Sequence, residues 1–332
     1  MSIFFPPFIY SFFLFTGTLI SVSSSSFFGM WMGLEMNLMA FIPMIVNTEF
    51  NKKSSEAAIK YFLIQAFASA MVIFAAFYFY LYGGSFLSKS SNIFITLALS
   101  LKLGMAPFHF WFPQVLEGLS WINTLVLLTW QKIAPLVMMS LLFHDDVLLT
   151  LALISAVVGA ISGINQTSMR KILAFSSISH LGWVTATMCF SRSLWVDYFI
   201  FYCITSFILC LSFWLLNLNY FSQLTLTPNL SDKFIIFINL LSLGGLPPLL
   251  GFLPKFLAMV VISESFPALG ILIFSSLITL YFYIRLCFST FTLYKRSAAW
   301  NQKSTALKNF FVLSILTSVS ILGIFPLNLF NF

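Results

Sequence analysis

Long apolar stretches separated by brief polar breaks run through the whole chain, and their length is that of a bilayer crossing rather than of an amphipathic surface helix or a strand. A crossing helix needs about 20 mostly apolar residues. Reading between the polar breaks predicts eleven such spans: 3–22, 26–46, 58–82, 92–112, 122–143, 147–165, 170–190, 195–216, 234–254, 268–291 and 309–330. The connections are too short to fold as a separate aqueous domain. The pattern predicts an all-α polytopic membrane protein of about eleven transmembrane helices.

Composition removes the alternatives. The 332 residues are 60% hydrophobic and 18% aromatic, and only 8% are charged. A soluble domain carries about 25% charged residues; one built from this chain would have a surface of Phe, Leu and Ile and would aggregate. The net charge of +7 does not indicate a nucleic-acid partner, because no basic cluster exceeds two adjacent residues. It reads instead as topology. An odd number of spans puts the two termini on opposite sides, and on the N-terminal side lie Lys52, Lys53, Arg170, Lys171, Lys233, Lys295, Arg296, Lys303 and Lys308, against chiefly Lys89 and Arg192 opposite. By the positive-inside rule the N-terminus faces the cytoplasm or matrix.

Other classes fall away in the same manner. Cys189, Cys203, Cys210 and Cys287 lie in apolar runs without CxxC pairing, so they predict neither a zinc nor an iron–sulfur site. No GxGxxG or Walker pattern is present, and the first residues show neither a secretory signal nor a transit peptide. The 42 phenylalanines suit an AT-rich coding genome, such as an organelle's.

One similarity within the chain stands out. Residues 101–113 (LKLGMAPFHFWFP) parallel residues 241–254 (LSLGGLPPLLGFLP), pairing Gly104 with Gly244 and Pro107 with Pro247, 140 residues apart, with one extra residue before the final proline of the second copy. Both read as proline-broken helices, in the fourth and ninth spans. An odd offset inverts one copy relative to the other, the arrangement of transporters with discontinuous helices. It predicts inverted repeats of five-helix units over about 3–143 and 147–291, with a terminal helix at about 309–330. Independent proline kinks are the competing explanation.

The charges inside the spans carry the chemistry. Glu35, Lys102 and Lys132 each fall near the middle of a span, where an ionisable residue costs about 2.5–3.5 kcal/mol on insertion scales. Snorkelling does not reach the surface, since half the hydrocarbon is ~15 Å, more than twice a lysine's reach. Lys255 follows the Pro247-Pro248 and Pro254 breaks, where freed backbone groups attract water. A structural ion pair between Glu35 and Lys102 or Lys132 is one reading. Three lysines against one glutamate favour the other, a set of proton carriers. The energies match, because moving a proton against ~150–200 mV costs about 3.5–4.6 kcal/mol, and a swing of about three pKa units supplies about 4.

Neighbouring residues add to this. Pro107 lies five residues after Lys102 and Pro135 three after Lys132, so each opens its helix near a lysine. His180, in the run Ser176-Ser-Ile-Ser-His180, reads as a bridge between two half-channels or as a hydrogen-bonded packing residue. His109, beside Pro107, reads as a relay member or, more simply, a cap on the broken helix. Gly159 and Gly163 form a GxxxG packing face. Arg285, toward the end of its span, snorkels or opposes a neighbour's carboxylate, and Glu117 and His144-Asp145-Asp146 are loop residues.

A series of runs resembles a known family: Trp31-Met-Gly-Leu-Glu-Met-Asn-Leu38, Glu56-Ala-Ala-Ile-Lys-Tyr-Phe-Leu63, Lys102-Leu-Gly-Met-Ala-Pro-Phe-His-Phe-Trp111, Thr129-Trp-Gln-Lys-Ile-Ala-Pro135, Asn165-Gln-Thr-Ser-Met-Arg-Lys171, Ser176-Ser-Ile-Ser-His-Leu-Gly-Trp183 and residues 244–255. In order and register from about 16 to 290, they resemble the antiporter-like membrane subunits of respiratory complex I, in the short subunit 2 form of animal mitochondria. The resemblance implies the mitochondrial inner membrane, synthesis within the organelle, and proton translocation as part of H+-translocating NADH:ubiquinone reductase, a translocase of the respiratory chain. It implies that Glu35 is the family's buried glutamate, Lys102 its broken-helix lysine, Lys132 its central lysine and Lys255 its outlet-side lysine. The implied partners are subunit 4 on one flank, subunit 4L toward the quinone end, accessory subunits, and lipids such as cardiolipin. NADH, FMN, iron–sulfur clusters and ubiquinone belong to other subunits, so no cofactor is expected in this chain. Two rival functions stand beside this one, a free-standing cation/proton antiporter and a passive membrane scaffold.

Overall fold

The computed structural model describes residues 7–48, 51–81, 87–141, 146–191, 193–226, 230–292 and 307–321. Among these residues the only β feature is an isolated bridge between Ser168 and Tyr220. Seven helical stretches are long and apolar enough to cross a membrane: Phe27–Val46, Lys52–Tyr78, Trp121–Ser140, Asp146–Gly163, Met169–Phe190, Leu194–Leu215 and Phe266–Phe288. Four shorter apolar helices, Phe8–Ser23, Asn92–Leu103, Phe252–Ile262 and Val312–Ile321, fall at the first, fourth, ninth and eleventh predicted spans. The chain is therefore an all-α, multi-pass membrane protein. Lys295, Arg296, Lys303, Arg192, His144, Asp145 and the end of the predicted last span lie outside the described residues.

The chain divides into two compact units, Met1–Ser155 and Ala156–Phe332. In the first, α1 (Pro7–Ser23) lies along α2 (Phe27–Thr48), which packs on α3 (Lys52–Leu81). α3 packs in turn on α4 (Leu87–Leu103) and α5 (Trp111–Gly118). α6 (Trp121–Leu128) and α7 (Trp130–Ser140) form one span interrupted at Thr129, and α7 closes against α4 and α2. The interruption precedes Lys132, one turn earlier than the distortion that Pro135 alone predicts.

The second unit begins within α8 (Asp146–Gly163) and is built around α9 (Met169–Phe190), which is buried continuously from Ile172 to Met188. α10 (Leu194–Leu215), α13 (Phe252–Ile262) and α14 (Phe266–Thr292) pack on α9. α12 (Leu230–Gly244) and α15 (Leu307–Ile321) pack on each other and on α10, and the short α11 (Phe221–Leu226) lies on α14. Of the two glycines in the GxxxG face, only Gly159 brings backbones together: a methyl there would lie 2.6 Å from the Ser179 amide nitrogen. Gly163 faces the Phe282 ring instead.

The fourth and ninth spans are each two half-helices. α4 ends at Gly104, which takes φ 73°, and α12 ends at Gly245, which takes φ 82°. Each end closes with the same pair of bonds: the Met105 amide donates to the Ser100 carbonyl and Gly104 to Leu101, as Leu246 donates to Leu241 and Gly245 to Ser242. This is the Schellman closure, in which glycine supplies the left-handed residue after the last helical turn and proline follows because the helix has ended. The shared geometry therefore pairs Gly104 with Gly245, a spacing of 141 rather than 140. At that spacing Pro107 meets Pro248 and Pro113 meets Pro254, and no extra residue is needed. The second half-helix of the ninth span runs past the predicted end at 254, to Ile262.

Candidate functional site

In the first unit, Lys102 sits in the last turn of α4 and Lys132 in the first turn of α7, 7% and 2% exposed. Both line one cavity of about 20 Å³. A water needs about 10–15 Å³, so the cavity has room for one between the lysine walls. The rest of its polar lining is uncharged and tied together. The Tyr61 hydroxyl donates to Gln131 Oε1 at 3.2 Å, and Gln131 Nε2 donates to Asn37 Oδ1 at 3.0 Å. Gln65 Nε2 donates to the Lys102 carbonyl at 3.0 Å, and Trp111 Nε1 to the Leu101 carbonyl at 3.1 Å. These bonds give the Lys102 carbonyl a donor and the Leu101 carbonyl, already bonded by Gly104, a second one where α4 stops. Lys132 Nζ lies 5.4 Å from the centre of the Phe112 ring, within cation–π range.

Glu35 occupies a different position from the lysines. It is half-buried on α2 and lines an open groove of about 520 Å³ with Tyr10, Phe13, Trp31, Met32 and Met39. Among the described residues it forms no ion pair with Lys102. His109 lies in the break between α4 and α5, with its ring tilted against that of Phe110 at 4.4 Å between centres.

In the second unit His180 is 8% exposed on α9, with Nδ1 3.0 Å from the Tyr198 hydroxyl and its ring 5.3 Å from that of Tyr202. The neighbouring serines bond their own helix instead: Ser176, Ser177 and Ser179 donate to carbonyls three residues back. Lys255 is 4% exposed, and its Nζ donates to the Gly244 carbonyl at 2.8 Å, with its side chain laid over Gly245. The ammonium thus caps the broken end of α12, where the helix dipole is negative and carbonyls lack helical partners. Lys255 lies within α13, not beyond it, and α13 packs on the helix that carries His180.

The structure therefore groups Lys102 with Lys132 in one unit, and puts His180 and Lys255 on adjoining helices in the other. Asn37, Tyr61, Gln65 and Gln131 are site residues that the chain's charge pattern did not single out; mid-span amides and a tyrosine inside apolar helices were the available signal. Lys233, placed above on the N-terminal side, is buried, with Nζ donating to the Thr225 carbonyl at 3.0 Å. No cluster of three or more His, Cys, Asp or Glu side chains is placed to hold a metal ion among the described residues.

Buried lysines beside helices broken at matching Schellman closures describe an ion-translocating type of membrane protein. Residues 24–281 match the transmembrane family of NADH:quinone oxidoreductases and Mrp antiporters. A chain of respiratory complex I from Thermus thermophilus superimposes with a TM-score of 0.83 at 22% identity, covering 96% of this chain and 78% of that one. A chain of the Mrp complex from Dietzia gives 0.82 at 14% identity, covering 96% and 75%. Among curated relatives, NADH-ubiquinone oxidoreductase chain 2 of Anopheles gambiae is 46% identical over 87% of this chain and 86% of its own length. That of Aedes aegypti is 42% identical over 95% of each. The chain belongs to the NADH:quinone oxidoreductase/Mrp antiporter family and, within it, to the NADH-ubiquinone oxidoreductase chain 2 family.

Proposed function

We propose that the chain is a proton-translocating membrane subunit of NADH:ubiquinone oxidoreductase, passing protons along Glu35, Lys102, Lys132, His180 and Lys255 while other subunits carry electrons from NADH to ubiquinone. The observation that carries this reading is the cavity shared by Lys102 and Lys132, large enough for one water and lined by both lysines. A lysine takes up a proton as ammonium and releases it as amine, and a bridging water moves it between two such groups without placing a bare charge in hydrocarbon. Asn37, Tyr61 and Gln131 hold the cavity's shape while the lysines exchange charge. Glu35, on the separate groove, is the place where an event in a neighbouring subunit enters the relay. In the second unit the broken end of α12 holds Lys255 for the same exchange, and the Tyr198 hydroxyl fixes the orientation of His180. His109 serves the α4–α5 break as a structural residue.

In this reading the protein works in the mitochondrial inner membrane with its N-terminus in the matrix, as an inverted repeat over 3–143 and 147–291. It is flanked by other complex I membrane subunits, among them subunits 4 and 4L, with the redox cofactors held elsewhere. The free-standing antiporter is the alternative of another class. Purified alone into vesicles, the chain is expected to give no proton or cation flux, while the assembled complex acidifies its lumen on addition of NADH. Robust exchange by the chain alone would overturn the subunit reading.

A further inference from the structure

The break in the ninth span is tied from outside by a helix that plays no part in the proton path described above. That helix is α15, which packs on α12 and α10. Its Ser320 is fully buried and reaches both sides of the break. On one side Ser320 Oγ pairs with the Asn239 amide of α12 at 3.0 Å, and on the other the Ser320 carbonyl accepts from the Leu250 amide at 3.0 Å. Ser320 Oγ also donates to the Thr317 carbonyl at 2.8 Å, and a hydroxyl has one proton to give. With the Asn239 amide turned over, Nδ2, which otherwise has no partner, donates to Ser320 Oγ, and the hydroxyl proton goes to Thr317 alone. The two side chains are joined in either orientation.

Between Asn239 and Leu250 lies the seat of Lys255. α12 ends at Gly244, whose carbonyl accepts the Lys255 ammonium, and α13 begins at Phe252. Within the break Leu249 donates to Leu246 and Phe252 to Leu249, local turns that do not fix one half-helix to the other. Gly251 closes tightly on the Ser242 carbonyl and leaves no room for a methyl. The first unit ties its own break with a side chain of the second half-helix, Trp111, whose Nε1 donates to the Leu101 carbonyl of the first. At the shared spacing of 141 the residue corresponding to Trp111 is Phe252, which has no side-chain donor. In the second unit a separate helix does the tying instead.

We propose that Ser320 is a positioning residue for Lys255: by joining α12 to the end of the break, it holds the Gly244 carbonyl where the lysine ammonium meets it. The inference rests on the relay reading, which gives Lys255 a proton to carry. Ser320 lies outside the residues 24–281 that match the family, so the family match assigns it no role. A broken helix end aims its carbonyls only as well as its two halves are held together, because those carbonyls have no helical partner to fix them. Ser320 is the residue that contacts both halves at once, through its side chain to α12 and its main chain to the last turn of the break.

The test uses the assembled complex in proteoliposomes, with NADH oxidation and luminal acidification expressed per assembled complex on native gels. Ser320→Ala removes the side-chain tie and leaves the main-chain one; Asn239→Leu removes the same tie from the other side at similar volume. Each is expected to assemble and to lose at least about threefold in coupled turnover, the average worth of one interhelical hydrogen bond in a membrane at tenfold per 1.36 kcal/mol. The double variant is expected to be no worse than either single one, because both cut one bond. In a Lys255→Met protein the residual turnover is expected to be the same, within twofold, with or without Ser320→Ala. Parent turnover in Ser320→Ala, beside an impaired Lys255→Met, would overturn the positioning role and leave the relay standing. So would a further loss on adding Ser320→Ala to Lys255→Met, or a turnover that falls only as far as assembly does, since both describe general packing. Parent turnover in Lys255→Met itself would overturn the relay at this lysine and the positioning role with it.

Discussion

Replacing Lys132 with methionine separates a proton carrier from a packing residue. The two side chains are similar in length and volume, and Lys132 is 2% exposed beside the Phe112 ring, so methionine fills the same space without opening a void. What it removes is the only titratable wall of the 20 Å³ cavity other than Lys102 and the Tyr61 phenol. A proton leaving Lys102 toward α7 must then reside on water alone. The effective penalty for an unpaired ion in a protein interior is several kcal/mol, and even about 3 kcal/mol is more than a hundredfold in rate at 1.36 kcal/mol per decade. The assay is NADH oxidation together with luminal acidification by the assembled complex in proteoliposomes, with assembly followed on native gels. The expected result is a normally assembled complex whose coupled turnover falls at least about a hundredfold. Turnover and acidification within twofold of the parent, in a fully assembled complex, would refute the relay and leave Lys132 as scaffold.

Two further outcomes follow from the packing. Gln131→Leu removes both bonds that join Tyr61 and Asn37 across α3, α7 and α2; at about 0.6 to 1.7 kcal/mol per interhelical bond in a membrane, the protein should lose about 1–3 kcal/mol of stability and pump more slowly. Thermal inactivation of the complex would register this, and an unchanged profile would count against a structural role for the amide. Gly159→Leu forces α8 off α9, because even a methyl would lie 2.6 Å from the Ser179 nitrogen; the expected result is loss of assembled protein, and normal assembly would contradict the observed helix approach.

The sequence by itself decided the solvent, the spans and the intramembrane charges. Each helix satisfies its own backbone hydrogen bonds, so whether a stretch enters the bilayer depends on local hydropathy and is written in the order of residues. For the same reason Gly104, Pro107 and the 241–254 run announced broken helices before any packing was known. Which way a residue faces inside the bilayer is another matter, because lipid tails are as apolar as leucine and leave little contrast between an inward and an outward side. Only the packed helices therefore put Lys102 and Lys132 on one cavity, with Glu35 on a separate groove. They also turned Lys255 back onto the end of α12 and enclosed Lys233, which the charge pattern had placed on the N-terminal side of the membrane. The register of the two breaks likewise needed the backbone, since in the Gly244-Gly245 pair only the second residue takes the left-handed conformation that ends the helix.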